Sequence, residues 1–228
     1  MSDGVFASVP CALAIAYRMP AYIRSPESAC ARIMRDRIRK SRVWDRERLL
    51  PKVVFFDGLT NEQIHSQCGR IRDTVGYEYK GKDIPRKPGV LPEFEAATIR
   101  ARYGFTEVED IKTGERRFAF SPDRNDAIKT LSTKMRIEFD ILSEGECDWL
   151  IARIFANVKK TTPITLRAIA EQFGRSHVHY HNYYHAIDDR LYHLEMRALD
   201  VLTDVFADRG TCGGEPVVAA REHYASGQ

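Results

Sequence analysis

The chain has little cysteine: Cys11, Cys30, Cys68, Cys147 and Cys212 are scattered over 228 residues, odd in number and never at C-x-x-C spacing. That excludes a zinc ribbon and a disulfide framework and implies a reducing, cytoplasmic setting. Neither a Gly-rich phosphate loop, a G-x-S-x-G elbow nor an H-E-x-x-H helix occurs, so no catalytic residue and no cofactor is expected. Internal repeats and low-complexity tracts are absent as well. The apolar stretch Val5–Tyr17 contains Pro10, ends at Arg18 and is too short to span a bilayer. It has no basic n-region of a signal peptide, and the expectation is a core strand or an anchoring arm, with no membrane partner. Neither sign of charge dominates. The formal net charge is +3, too mild to imply a polyanion by itself.

What is present fits a globular protein of one or two domains, with 43% hydrophobic and 29% charged residues. Charge is concentrated locally. Between Ala31 and Leu50 eight basic residues (Arg32, Arg35, Arg37, Arg39, Lys40, Arg42, Arg46 and Arg48) face only Asp36, Asp45 and Glu47. Ser25-Pro26 starts a basic helix there, running to Arg42, which contacts phosphates or forms a solvated face. Thr60-x-x-Gln63 begins a second helix whose Ile64, Cys68, Ile71 and Val75 repeat at helical spacing. Gly81, Pro85, Pro88, Gly89 and Pro92 then make the strongest break in the chain. The reading is an N-terminal helical domain over 1–90 and a C-terminal domain over 91–228.

The second half is expected to be mainly α with one short β-hairpin. A helix from Pro92 to Tyr103 is stopped by Gly104. Val108–Ile111 and Arg116–Phe120 flank Lys112-Thr113-Gly114-Glu115 as a hairpin. Ser121-Pro122 starts a helix with Ile128, Leu131 and Met135 on its apolar face. Ser143-x-x-Glu146 is a capping box, with Leu142 and Cys147 at the staple positions and Leu150, Ile151 and Ile154 on the apolar face beyond. The tail after Ala207, with Gly210, Gly213, Gly214 and Pro216, is expected to be loose.

Residues 163–176 read as the first helix and turn of a helix-turn-helix. Thr165 caps, Leu166, Ile169 and Ala170 share one face, Gly174 turns the chain and Ser176 caps the next helix. From His177 to Asp208 neither Gly nor Pro interrupts, and Tyr180, Tyr184, Ile187, Leu191, Leu194, Ala198, Val201 and Val205 alternate spacings of four and three. One helix of about 45 Å follows from the rise per residue. Its stripe either lies in the chain's own core or forms a homodimer through the Tyr180–Val205 seam.

With these pieces placed, residues 142–202 resemble the DNA-binding region 4 of bacterial sigma factors. Leu142-Ser143-Glu144, the helix holding Ile151 and Arg153, the Pro163–Ser176 turn and Arg197-Ala198-Leu199 after Glu195 carry the likeness in order. Residues 1–140 show no match to the promoter-melting region. The family leaves about ten residues between the turn glycine and the final glutamate, whereas Gly174 and Glu195 stand twenty-one apart here. The extra residues amount to about three helical turns, which predicts one long, unbroken recognition helix. The resemblance implies a helix-turn-helix over 142–206, double-stranded DNA as partner, and RNA polymerase as a second partner.

On that reading Ser176, His177, His179, His181 and Asn182 face the groove, and Lys159, Lys160, Arg167 and Arg175 hold phosphates. His177, His181 and His185 recur every fourth residue, as do His185, Asp189 and His193. Three such ligands strung over two turns cannot all reach one ion, so no metal site is expected. The expected function is a DNA-binding transcription regulator. The alternative is a phage-type structural, assembly or DNA-packaging adaptor protein that uses the long helix for protein contacts. A third class, a metal-dependent enzyme on the histidine helix, would need bound metal.

Overall fold

The computed structural model describes residues 5, 6, 8–22, 61–77, 87–104, 106–110, 116–156 and 164–212. The expected basic helix at 26–42, the turn at 112–115, Lys159, Lys160 and the tail from 213 lie outside them. The described residues are mainly helical and fall into two units. One comprises those up to Val75 together with those from Ala198; the other runs from Gly76 to Arg197. The Pro/Gly-rich break thus lies just inside the second unit.

In the first unit, Val5–Tyr17 is not a strand or an arm. Helix α1 spans Val9–Tyr22, opened by Ser8, whose hydroxyl and carbonyl accept the N–H groups of Cys11 (3.4 Å) and Ala12 (3.0 Å). Every side chain from Cys11 to Tyr17 is buried. A helix buried all round shows no period of 3.6, so the apolar run alone did not separate it from a strand. Helix α2 (Asn61–Val75) packs beside it and buries Cys68, Ile71 and Val75, as their spacing predicts.

The second unit starts with two short strands, β1 (Gly76–Tyr77) against β2 (Lys87–Pro88), followed by α3 (Glu93–Tyr103). Strands β3 (Thr106–Asp110) and β4 (Arg116–Phe120) pair antiparallel, Thr106 opposite Phe120. Helix α4 (Pro122–Glu138) is capped by Ser121, which accepts the Arg124 N–H at 3.4 Å. Then come α5 (Glu144–Ala156), α6 (Leu166–Phe173) and α7 (His177–Asp208). Ala97 and Ala101 of α3, Leu131 and Met135 of α4, Leu150 and Ile151 of α5, Ile169 of α6 and Ile187 and Leu191 of α7 form one buried cluster. Each large aliphatic among them contributes about 1.5–3 kcal/mol by leaving water.

Gly104 ends α3, but not through a left-handed cap: its φ is −54°. A Cβ there would run into the Arg100 carbonyl and the Arg124 side chain. Close approach is what requires glycine. Arg124 donates to the carbonyls of Ala101 and Phe155, both at 2.7 Å, so one buried guanidinium satisfies the C-terminal ends of α3 and α5.

Helix α7 is unbroken, as the spacing predicts. Its Tyr180, Ile187, Leu191 and Leu194 belong to the second unit's own core, and Ala198, Leu202 and Phe206 are buried farther along. Val201 is 41% exposed. The buried stripe therefore leaves the heptad positions after Ala198 and drifts with the 3.6-residue period of a straight helix. The tail after Ala207 is not loose at its start. Gly210 adopts φ 62°, Thr211 and Cys212 are buried, and the Phe6 N–H donates to Thr211 at 2.9 Å. Among the described residues no helix is long and apolar enough to cross a membrane.

Candidate nucleic-acid interface

Local chemistry builds the α6–α7 corner. The Thr165 hydroxyl accepts the Ala168 N–H at 3.0 Å and opens α6. Leu166 and Ile169 turn into the core. Gly174 closes the helix in the left-handed region, with φ 71° and ψ 22°, where any Cβ is strained. Ser176 then accepts the His179 N–H at 3.2 Å and starts α7. Beneath the corner, Ser143 and Glu146 complete the capping box reciprocally: the Ser143 N–H donates to Glu146 Oε2 at 2.7 Å and the Glu146 N–H to the Ser143 hydroxyl at 3.3 Å.

Glu146 does more than cap. Its Oε1 accepts the Tyr180 hydroxyl at 2.5 Å and lies 3.1 Å from Arg175 Nε, while the carboxylate itself is buried. Burial alone would raise its pKa. The Tyr180 hydroxyl, Ser143 and the Arg175 charge outweigh burial and hold it below the usual carboxylate value. Arg175 also donates to the Ile141 carbonyl at 3.2 Å. Two helices, α5 and α7, and the turn between α6 and α7 meet at one carboxylate. The sequence hid this arrangement because its members are local in no element: Glu146 reads as a capping residue and Tyr180 as part of the seam.

The residues expected at the groove divide. Ser176, His177, His181 and Asn182 are exposed on the corner and the first two turns of α7. His179 instead lays its ring against Tyr180 and Tyr183, with centroids 5.3 and 4.8 Å away. Of the residues expected at phosphates, Arg167 is exposed on α6, and Arg175 is ion-paired to Glu146. Other arginines nearby also serve the fold. Arg153 donates to the Ile164 carbonyl and stacks over Tyr184; Arg102 pairs with Glu195 at 2.9 Å and Arg197 with Glu95 at 3.0 Å, pinning α7 to α3.

The four described cysteines are all buried. Burial pushes the thiols of Cys68 and Cys147 up to about 11 and that of Cys212 to about 12. Among the described residues no group of three or more metal-binding side chains converges. The chain matches no family model, no characterised protein sequence and no solved structure.

Proposed function

We propose that α5, α6 and the first turns of α7 form a helix-turn-helix of the kind in region 4 of bacterial sigma factors, and that the protein binds duplex DNA through it as a transcription regulator. One observation carries the reading: Thr165, Gly174 and Ser176 cap, turn and restart the chain within a single short corner, leaving His177, His181 and Asn182 exposed beyond it. Asn182 matches adenine bidentately, and each histidine offers one hydrogen bond to a base edge. Arg167, with Lys159 and Lys160, supplies the phosphate term. Arg175 is occupied by Glu146. RNA polymerase is the second partner that the sigma-like resemblance implies.

The test is fluorescence anisotropy of labelled duplex with the purified chain across a salt series. Three cations at phosphates give a slope of about −3 in log K against log salt, and Arg167→Ala lowers its magnitude by about 1. Absence of binding at low salt overturns the reading. That outcome favours the assembly-protein alternative, which has its own supporting observation: Ile137, Val178 and Ile141 are 79%, 67% and 55% exposed. Exposed apolar side chains of this size suit a protein contact better than a phosphate backbone.

A further inference from the structure

The exposed face of α7 carries a geometry that neither groove contact nor packing uses. His181 Nε2 and His185 Nε2 face each other at 3.3 Å, with ring centroids 4.6 Å apart. Both rings are exposed. Two imidazole nitrogens bound to one tetrahedral zinc ion, each about 2.0–2.1 Å from it, lie about 3.3–3.4 Å apart. We propose that His181 and His185 chelate one zinc ion, the remaining coordination positions being filled by water.

The helix itself prepares the site. Residues four apart stand one above the other, so no loop must be ordered when the ion binds. Tyr184 packs edge-on against the His185 ring at 5.4 Å and limits its rotation. The neighbours on either side do not join. His177 is 6.4 Å from His181 between ring centroids, and His193 turns to Asp189 at 3.6 Å. Two ligands suffice for an open site. The next charged residues along the helix, Asp188 and Asp189, are acidic and favour a cation. A bound ion places a fixed positive charge on the exposed face of α7 at its first turns.

The site does not depend on duplex binding, and its test contains no DNA. Zinc is titrated into the tag-free full chain against a chromophoric chelator, with cobalt(II) absorbance reporting tetrahedral coordination. One equivalent binds, and His181→Ala and His185→Ala each weaken it about tenfold or more. His177→Ala and His193→Ala leave it within about twofold. Alanine favours the helix at these exposed positions, so the variants keep their fold, which circular dichroism verifies. Equal affinity in the wild type and all four variants overturns the proposal, since a plain N–H···N contact between the rings predicts that result. A larger loss from His177→Ala or His193→Ala overturns it too.

Discussion

The Tyr180 hydroxyl donates to Glu146 at 2.5 Å across 34 positions of sequence, joining the first turn of α5 to the first turn of α7. Arg175 sits on the same oxygen at 3.1 Å. The corner between α6 and α7 is thereby fixed from below, independently of anything it touches from above. A buried carboxylate of this kind is costly to leave without partners.

Arg175→Ala should accordingly lower stability by about 1–3 kcal/mol, because it strips a charge partner from a buried acceptor. Urea unfolding measures the loss. On duplex DNA, at temperatures where both variants are folded, Arg167→Ala should weaken binding more than Arg175→Ala. The opposite order would return Arg175 to the phosphates.

Acid should loosen the same corner. Glu146 titrates below its usual value of 4.5 when folded, so its stabilising contribution is full above that value. It disappears as pH falls through the lower, folded value. Glu146→Gln keeps the capping geometry and removes the titration. Between about pH 5 and about pH 3 the wild type should lose more stability than the glutamine variant, read by denaturant midpoints. Parallel losses would mean that other carboxylates govern the acid limb.

Leu191→Asp tests what the long apolar stripe of α7 serves. Leu191 is buried in the core formed with α3, α4, α5 and α6. An unpaired carboxylate there should cost more than about 4 kcal/mol and abolish cooperative unfolding. Were the stripe a seam between copies, the variant would keep its helicity and only change its sedimentation.

Gly104 and Gly174 both end helices for different reasons, and asparagine separates them. At Gly174 no atom lies within 4 Å of an added Cβ, and only the positive φ matters. Asparagine tolerates that region, so Gly174→Asn should cost less than Gly174→Ala, which loses about 1–2 kcal/mol. At Gly104 any Cβ meets the Arg100 carbonyl, so both substitutions should destabilise alike. Thermal melts of the four variants decide this.

The local signals were the legible part of the fold. Ser121-Pro122, Ser143 with Glu146, and Thr165 with Gly174 and Ser176 each declare a helix boundary within a few residues, because capping is a short-range interaction. Ser8 followed by Pro10 carried the same kind of signal for α1, masked by an apolar run with no period. What joins the elements was not legible. Arg124 spanning two helix ends and Arg175 turned to Glu146 both depend on neighbours distant in sequence. For the candidate interface, the exposure of His177, His181 and Asn182 followed from their place after Ser176. The inward turn of His179 onto Tyr183 did not.

Phe6 and Cys212 lie side by side in a parallel bridge, closing a span of about two hundred residues. A ribosome makes the first of these long before the second. Until synthesis passes Cys212, α1 has α2 beside it but not the residues from Ala198 onward that complete their unit, whereas the described residues of the second unit have their partners sooner. Although α1 precedes every element of the second unit in the chain, its own unit is the later of the two to be completed.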